Sequence, residues 1–276
     1  MKNISEVLQL STKFLQDRGI EKPKRLAEEL LAWVLGMKRM DLYLQFDRPV
    51  EEKELAALRE PLKRASKGEP VEYILGEIEF ANCKISVDKR VLIPRPETEI
   101  LVEMIKKSAK GSVIWDICTG SGCIGIALKK ALGSQVVLVD ICPNALEVAR
   151  KNAIQNGVDV EIVQGDFLEP LKGRKADIVV CNPPYITTKE LLSLSPSVLD
   201  YEPIKALDGG ERGTLFYERL AALLPSHLNP GAQVYLEIGS DQGALVKEIF
   251  KGGPWTKMSL EKDWARHDRF FFLEMQ

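Results

Sequence analysis

Four consecutive residues, Asn182-Pro183-Pro184-Tyr185, have side chains suited to holding a planar NH2 group, and we call them the NPPY segment. They follow an apolar run at residues 176–181 that predicts a buried strand, so they would lie at the rim of a sheet. The two prolines fix φ and remove two backbone donors, and a residue before proline favours an extended conformation. The Asn182 side-chain oxygen and a neighbouring backbone carbonyl can then each accept one hydrogen of an NH2 group, with the Tyr185 ring against its flat face. By itself, the segment is equally typical of an ordinary strand-to-loop turn.

A glycine-rich turn lies about sixty residues upstream, at residues 119–122. It is flanked by an apolar run at 113–118, which predicts a buried strand, and by a helical pattern at 126–132. Gly120 and Gly122 would let the backbone approach a ligand closely, and the first turn of the helix offers free N–H groups. This arrangement predicts a binding site for a nucleotide-like group.

A second predicted strand, at residues 135–140, ends in Asp140, whose carboxylate can bind both hydroxyls of a ribose. Gly120, Gly122 and Gly125 also form the G-x-G-x-x-G pattern of NAD(P) enzymes, which makes hydride transfer a competing hypothesis. The NPPY segment favours methyl transfer instead. A methyl donor that carries a ribose and an adenine needs the glycine turn, the acid and a holder for the nucleophile together.

Several segments together resemble the class I S-adenosylmethionine-dependent methyltransferases: residues 116–122, Asp140, Gly165-Asp166-Phe167 and Asn182. More narrowly, the chain resembles the HemK-type protein glutamine methyltransferases that modify peptide chain release factors. The motifs that carry this resemblance are LIPRPETE at 92–99, NPPYI at 182–186, Glu202-Pro203 with ALDGG at 206–210, and LEIG at 236–239. The resemblance spans nearly the whole chain and is most specific at RPETE and NPPY.

The resemblance implies a fold, a reaction and a partner. The expected fold is α/β, a Rossmann-like class I methyltransferase sheet of seven strands with its last strand antiparallel. S-adenosylmethionine would supply the methyl group. The acceptor would be the side-chain amide of the glutamine in the Gly-Gly-Gln motif of class-1 peptide chain release factors, a group that suits the NPPY segment.

The resemblance also implies site residues. The expected catalytic residues are Asn182, Pro183, Pro184 and Tyr185. The expected cofactor-binding residues are Cys118, Thr119, Gly120, Ser121, Gly122, Asp140, Asp166, Phe167 and Asn182. Asp140 would bind the ribose hydroxyls, Asp166 or Phe167 would meet the adenine, and the turn at 119–122 would face the amino-acid portion. His227 and His267 are isolated in the sequence, so we expect no metal site.

The chain departs from the family pattern at two places. Cys118 stands where the family usually has glycine, and because a Cβ disfavours positive φ, we expect an ordinary φ there. Residues 265–269 read Ala-Arg-His-Asp-Arg where the family has Gly-Arg-Asp-Arg, so the sequence assigns that turn no role. Arg95, Glu97 and Thr98 precede a helical pattern, and they either cap that helix or shape the pocket.

Apolar periodicity divides the chain into three parts. Residues 1–75 show helical spacing and predict a small helical bundle, which the resemblance interprets as a substrate-docking domain. Residues 76–95 predict a hairpin linker, and residues 96–276 predict the methyltransferase catalytic domain, in which strands and helices alternate. The stretch from 186 to 213 is too long for an ordinary connection, and we interpret it as a substrate-side loop.

Composition limits the partners. The 276 residues carry a net charge of −2, which offers no general attraction to nucleic acid, so no stable nucleic-acid partner is expected. The N-terminus lacks the apolar core of a signal peptide, and no apolar run approaches the roughly 20 residues that span a bilayer. The five cysteines include no C-x-x-C pair and are interpreted as small buried hydrophobic residues of a reducing compartment. We therefore expect a cytoplasmic protein without a membrane partner.

Three other functions stay open from the residues alone. A nucleic-acid methyltransferase would use the NPPY segment on an exocyclic amine, after the base has been extruded. A ribosomal-protein glutamine methyltransferase would share the chemistry and differ only in docking. A noncatalytic sensor of the methyl donor would keep Asp140 and could lose Asn182, whereas this chain has both.

Overall fold

The computed structural model describes residues 2–276, which divide into two compact units. The helical unit contains the residues up to Gly76 together with Ser195–Tyr201. The sheet unit contains Glu77–Leu194 and Glu202–Gln276. The long connection after the NPPY segment therefore contributes to both units.

The helical unit is built from amphipathic helices around one apolar core. Its helices are α1 (Ile4–Gln16), α2 (Pro23–Leu35), α3 (Arg39–Leu44), α4 (Glu52–Ala65), α5 (Val71–Leu75) and, later in the chain, α10 (Pro196–Leu199). Asn3 caps α1 by accepting a hydrogen bond from the Glu6 amide at 2.9 Å. Helix α2 begins with a proline and ends at Gly36, whose φ is +64°, as its sequence predicts. The fully buried leucines and isoleucines recur at helical spacing, for example Ile4, Leu15, Leu30, Leu31 and Leu42.

The sheet unit contains a hairpin, a seven-stranded sheet and the helices that cover it. Its strands are β1 (Glu77–Phe80), β2 (Cys83–Ser86), β3 (Val113–Ile117), β4 (Gln135–Asp140), β5 (Glu161–Gln164), β6 (Ala176–Cys181), β7 (Leu228–Glu237), β8 (Trp255–Lys262) and β9 (Asp268–Met275). Its helices are α6 (Pro96–Ser108), α7 (Cys123–Leu132), α8 (Pro143–Gln155), α9 (Thr188–Leu191), α11 (Leu215–Leu223) and α12 (Gly243–Phe250).

The strand order in the large sheet is β5-β4-β3-β6-β7-β9-β8. The first five strands in this order run parallel, and β9 runs antiparallel to both β7 and β8. This confirms the predicted seven-stranded α/β fold with an antiparallel last strand. Strands β3, β4 and β6 are buried on both faces, which explains their continuous apolar sequences.

The register of the central strands decides where the site lies. Ile117 pairs with Val139 on one side and with Cys181 on the other. The residues that follow each of these positions therefore emerge at one edge of the sheet. The chain order reverses at β3, whose two neighbours are β4 and β6, and such a switch point opens a crevice at the carboxyl ends of the strands.

The β1–β2 hairpin is fixed to the sheet unit rather than free. Its turn residues Ala81 and Asn82 both have positive φ, at +45° and +64°. The side chain of Asn152, on α8, accepts a hydrogen bond from the Ser86 amide at 2.8 Å and donates one to the Ser86 carbonyl at 3.0 Å. Asn156 makes the same pair of bonds with the backbone of Lys84, at 3.1 and 2.7 Å.

Candidate active site

A cavity of about 270 Å³ lies in the sheet unit at the carboxyl edge of β3, β4 and β6. Its volume is close to the lower end of the range for small-molecule sites, about 300–1,000 Å³. The lining includes seven residues that the sequence predicted for the site: Cys118, Gly120, Asp140, Asp166, Phe167, Asn182 and Pro184. It also includes Phe216, Ile204 and Val91, which sequence reasoning did not single out.

The glycine turn has left-handed backbone at three positions. Cys118, Gly120 and Gly122 have φ values of +58°, +53° and +80°. Our expectation of an ordinary φ at Cys118 was therefore wrong. A Cβ makes this conformation costly, by about 1–2 kcal/mol, but does not forbid it. The surrounding hydrogen bonds, such as that from the Thr119 amide to the Val139 carbonyl at 3.0 Å, hold the turn in place.

The three glycines of the G-x-G-x-x-G pattern serve two purposes. A Cβ at Gly125 would lie 2.2 Å from a methyl group of Leu138, and one at Gly122 would crowd Ile126 and Ala149. These two glycines therefore let α7 pack closely on its neighbours. A Cβ at Gly120 would meet nothing within 4 Å, so Gly120 borders open space in the cavity wall.

Asp116, a buried residue of β3, accepts hydrogen bonds that stabilise the turn. Its Oδ2 accepts hydrogen bonds from the Thr119 hydroxyl at 2.6 Å and from the Gly125 amide at 2.9 Å. Its Oδ1 is buried without a partner. Burial raises the pKa of this carboxyl to about 7. Thr119 itself is buried, does not line the cavity and orders the turn through this bond.

Two further residues of the turn, Ser121 and Gly122, also do not line the cavity. Ser121 is buried, and its carbonyl accepts a hydrogen bond from the Asn152 side chain at 2.9 Å. Both residues thus form the side of the turn that packs against α7 and α8.

Asp140 faces the cavity with both carboxylate oxygens held by backbone. Its Oδ2 accepts from the Gly120 amide and its Oδ1 from the Cys142 amide, each at 2.9 Å. Burial raises the pKa of this group, and the hydrogen bonds to the backbone oppose that shift. Each oxygen keeps a second acceptor site, so the carboxylate can still receive two hydroxyl groups from a ligand.

Asp166 and Phe167 form one wall of the cavity with help from α11. Phe167 has φ +60° and a buried ring whose centroid lies 5.8 Å from that of Phe216. The Arg219 guanidinium lies 4.9 Å from the centre of the Phe167 ring and pairs with Asp166 at 2.9 Å. The two rings are tilted by 49° to each other, and the wall that they form is largely apolar, with a carboxylate at its rim.

The NPPY segment leaves β6 directly into the cavity rim. Asn182 and Pro184 line the cavity, while Pro183 is buried. The Tyr185 ring packs against the core of the sheet unit, and burial raises the pKa of its hydroxyl to about 12. The Tyr185 carbonyl accepts a hydrogen bond from the Gln242 side chain at 2.8 Å.

Glycines of the 202–215 loop pack directly on the NPPY backbone. A Cβ at Gly209 would lie 2.8 Å from the Tyr185 Cα, and one at Gly213 would lie 2.4 Å from the Tyr185 carbonyl oxygen. The Ile186 and Leu207 backbones are also hydrogen-bonded at 3.0 Å. Gly209 and Gly213 therefore pack against the NPPY segment and support its backbone.

The residues before α6 and in its first turn make tertiary contacts, and neither Arg95 nor Glu99 caps the helix with its side chain. Arg95 is the N-cap residue but makes no side-chain cap. Its guanidinium pairs at 2.6 Å with Glu202, whose buried carboxylate also accepts from the Ile93 amide at 3.2 Å. Glu99 accepts from the Ala81 amide of the hairpin turn at 3.1 Å. This segment thus connects the hairpin, the cavity and the 202–215 loop.

Thr98 and Glu237 are site residues whose contacts sequence reasoning missed. The Asn182 amide nitrogen lies 3.4 Å from the Thr98 hydroxyl, which lies 2.7 Å from Glu237 Oε2. Both residues lie in motifs that carried the resemblance, RPETE and LEIG, so the signal was present. Their contact was not readable because 139 positions separate them in sequence.

Hydrogen bonds and an ion pair centred on Asp263 order the turn between β8 and β9. Asp263 accepts a hydrogen bond from the His267 amide at 3.0 Å. Arg269 lies 3.6 Å from the Asp263 carboxylate and donates to the Ile238 carbonyl at 3.3 Å.

Across residues 2–276, no three His, Cys, Asp or Glu side chains cluster in a way that could hold a metal ion. Within the same residues, no helix combines the length and the apolar character needed to cross a membrane.

Comparison with known proteins identifies the family. Residues 6–76 match the PrmC N-terminal domain, and residues 96–196 match the methyltransferase small domain. The chain is 41% identical to the release factor glutamine methyltransferase of Geobacter sulfurreducens, over 90% of this chain and 88% of that protein. It is 39% identical to the release factor glutamine methyltransferase of Chlamydia trachomatis, over 99% and 94%.

The chain belongs to the release factor glutamine methyltransferase family.

Membership of the release factor glutamine methyltransferase family makes this chain a methyltransferase, in agreement with its fold. The crystal structure of a methyltransferase from Pyrococcus furiosus is similar, with a TM-score of 0.55 and 20% identity over 70% of this chain and 88% of that one. That likeness shows the shared sheet architecture. The cavity at the carboxyl edge is therefore the candidate active site of a family member.

Proposed function

We propose that the protein transfers a methyl group from S-adenosylmethionine to the side-chain amide nitrogen of the glutamine in the Gly-Gly-Gln motif of class-1 peptide chain release factors. The observation that carries the proposal is the convergence of Gly120, Asp140 and Asn182 on one cavity. Close relatives over nearly the full chain are named release factor glutamine methyltransferases, which supports this acceptor over others.

The cavity suits the cofactor. Asp140 has two free acceptor sites for ribose hydroxyls, and Phe167 with Phe216 offers an apolar wall for the adenine. Gly120 lines the cavity, and the space beside its Cα holds no other atom within 4 Å of a Cβ position, which leaves room for the cofactor. S-adenosylmethionine supplies an electrophilic methyl group on a sulfonium. The backbone of the glycine turn and the Asp140 carboxylate hold that donor in a fixed place.

At the acceptor, the protein must overcome the poor nucleophilicity of an amide nitrogen, whose lone pair is shared with its carbonyl. Asn182 Oδ1 and a backbone carbonyl of the NPPY segment accept the two N–H hydrogens, which raises electron density on the nitrogen. The rigid prolines fix the direction of the backbone acceptor. Proximity and alignment of this kind lower a barrier by up to about 7–11 kcal/mol.

The neutrality of Asn182 matters for the same step. A carboxylate at this position would compete as a methyl acceptor or pair with the sulfonium. No general base is required before transfer, because the proton can leave the nitrogen once the new bond has formed. Asn182, Pro183, Pro184 and Tyr185 therefore act by holding and orienting the acceptor.

Residues 1–75 act as the substrate-docking domain in this proposal, with 76–95 as the hairpin linker and 96–276 as the catalytic domain. The helical unit exposes large apolar side chains on and beside α3, including Met40 at 65% and Leu44 at 83% exposure. Exposed apolar groups of this kind are typical of protein-binding surfaces. The relatives that cover this unit are named release factor glutamine methyltransferases, which supports a release factor as the occupant.

The proposed location is the cytoplasm, where the protein acts without a stable nucleic-acid or membrane partner. Its five cysteines are all free, as is typical of a reducing compartment. Its net charge of −2 provides no general attraction to nucleic acid.

The experiment measures transfer of labelled methyl from S-adenosylmethionine to a purified class-1 release factor. Parallel reactions contain the factor with its Gly-Gly-Gln glutamine replaced, ribosomal protein, and nucleic acid. Label on the wild-type factor alone is the expected result. Label on nucleic acid or ribosomal protein instead would keep the NPPY chemistry and overturn the substrate, and absence of label everywhere would overturn the proposed function.

A further inference from the structure

Three side chains from three elements form a chain of hydrogen bonds behind the cavity rim. Glu237 is the last residue of β7, Thr98 lies in the first turn of α6, and Asn182 follows β6. The Thr98 hydroxyl donates to Glu237 Oε2 at 2.7 Å, and the Asn182 amide nitrogen donates to the Thr98 oxygen at 3.4 Å. All three residues belong to the sheet unit.

The two inner members of the chain are shielded from water. Thr98 and Glu237 are each only 1% exposed. Burial of a carboxylate is costly unless it receives hydrogen bonds, and here the Thr98 hydroxyl provides one. The burial also raises the pKa of Glu237 to about 7, so at about pH 8.5 the group is ionised and can only accept.

The direction of the chain follows from counting hydrogens. A hydroxyl carries one hydrogen, and the Thr98 hydrogen points to Glu237. The Thr98 oxygen can therefore only accept from Asn182, so it faces the NH2 side of that amide and not the carbonyl side. Rotation of the amide by half a turn would place two oxygens against each other. Asn182 Oδ1 is consequently left for the cavity that Asn182 lines.

We propose that Thr98 and Glu237 are positioning residues that fix the Asn182 amide with its oxygen toward the methyl acceptor. This inference rests on the proposed function, because that function needs the Asn182 oxygen to face the methyl acceptor. Thr98 and Glu237 are the cause of that orientation. Glu237 sets the Thr98 hydroxyl, Thr98 selects one of the two amide orientations, and Asn182 contacts the acceptor. Neither Thr98 nor Glu237 contacts the reacting atoms.

The test compares three variants by steady-state kinetics on a release factor at about pH 8.5. Thr98→Val removes the hydroxyl at similar volume and should lower kcat by about tenfold or more, with the KM and Kd for S-adenosylmethionine unchanged. Thr98→Ser should restore most of that turnover. Glu237→Gln, which can donate to Thr98 as well as accept, no longer fixes the direction and should lower kcat several-fold.

Ser86→Ala is the control. Ser86 is also buried, and its hydroxyl donates to the Gln155 side-chain oxygen at 3.0 Å, away from the cavity lining. The variant should lose thermal stability but retain kcat. Equal losses of kcat in the Thr98→Val and Ser86→Ala variants would mean that Thr98 has only a structural role, and normal kcat in Thr98→Val would overturn the proposal.

A spectroscopic measurement separates this inference from the proposed function. The side-chain NH2 signals of Asn182, assigned through Asn182→Ala in a proton–nitrogen spectrum of the whole protein, should shift in Thr98→Val and Glu237→Gln and return in Thr98→Ser. Unchanged signals would overturn the positioning role whatever the activity. If the Asn182 signals shift in the variants as expected but the protein methylates no release factor, only the proposed function is overturned.

Discussion

Asp140 and Asn182, two polar side chains of the cavity lining, are each held by hydrogen bonds that leave acceptor sites free for a ligand. Asp140 is held by the Gly120 and Cys142 amides, and Asn182 by the Thr98 hydroxyl. Gly120 and Thr98 lie in other segments of the chain than the side chains that they hold, so a residue type alone does not set the role. Asn182→Ala tests the orientation of the methyl acceptor, and Gly120→Ala tests the binding of the cofactor.

Asn182→Ala should lower kcat for methyl transfer by about a hundredfold or more, because the acceptor nitrogen loses one of its two orienting partners. Cofactor affinity, measured by calorimetry, should change little. Asn229→Ala is a suitable control, because Asn229 makes a comparable hydrogen bond to Asp177 at 2.8 Å near the start of β7. Normal turnover by Asn182→Ala in a tritiated-methyl assay would exclude the proposed catalytic role.

Gly120→Ala should weaken cofactor binding by about tenfold or more. The added methyl group takes up space at the cavity wall, and the backbone φ of +53° is unfavourable for a residue with a Cβ. Gly133→Ala carries the same kind of backbone penalty at φ +70°, with nothing within 4 Å, at the end of α7. Calorimetric titration of both variants isolates the effect on the site. Equal affinities in the two variants would remove Gly120 from the cofactor site.

At the scale of elements, the 202–215 loop depends on one buried ion pair. The Glu202 side chain is 1% exposed, and its carboxylate is neutralised by Arg95, which is itself 34% exposed. Removal of the cation leaves a buried charge with fewer partners, which is more costly than loss of a surface pair. The same loop braces the NPPY backbone through Gly209 and Gly213. Weakening the ion pair between Arg95 and Glu202 should therefore make both the 202–215 loop and the NPPY backbone more mobile.

Arg95→Ala should speed amide hydrogen exchange in residues 202–213 and in the NPPY segment, while β3 and β4 stay protected. Arg90→Ala is the control, since Arg90 pairs with Asp88, a 45% exposed group near the surface. Mass-spectrometric exchange on both variants makes the comparison. Identical protection of the loop in Arg95→Ala and wild type would show that the pair does not hold it.

At the scale of the whole molecule, two buried carboxyl groups make stability depend on pH. Burial raises the pKa of Asp116 and of Glu237 to about 7 in the folded protein. The folded state therefore binds protons more tightly than the unfolded chain. The stabilisation from these groups is fully present below their unfolded pKa values and is lost as the pH rises through about 7.

Asp116→Asn should reduce this pH dependence, because the amide still accepts from Thr119 and Gly125 but does not ionise. Between about pH 5 and 8, the free energy of unfolding of wild type relative to the variant should fall by about 1 kcal/mol or more. Urea unfolding of the two proteins at each pH measures this difference. Parallel pH profiles would contradict the assignment.

The helical unit should affect substrate recognition separately from chemistry. Leu44→Glu should raise the KM for an intact release factor several-fold, because a charge replaces an exposed apolar contact of the proposed docking surface. Transfer to a short Gly-Gly-Gln peptide should be unaffected. Ile154→Glu, on the 75% exposed Ile154 of α8, is the control. An unchanged KM for the intact factor in Leu44→Glu would exclude Leu44 from docking.

The secondary-structure elements and the family could be predicted from local sequence patterns. Apolar runs predicted the strands before the glycine turn, Asp140 and the NPPY segment, because buried parallel strands need apolar residues on both faces. Short motifs such as RPETE and NPPY carried the resemblance that the relatives confirm. These features are local, so they can be read along the chain.

The contacts between distant residues could not be predicted in this way, because they depend on the packing of the elements. The φ of Cys118 follows from hydrogen bonds of the turn to β4, and the residue type alone predicted the opposite. Thr98 meets Glu237 and Asn182 across 139 and 84 positions of sequence, through the strand order and register of the sheet. Contacts between distant segments depend on how the elements pack, and no local pattern records that packing.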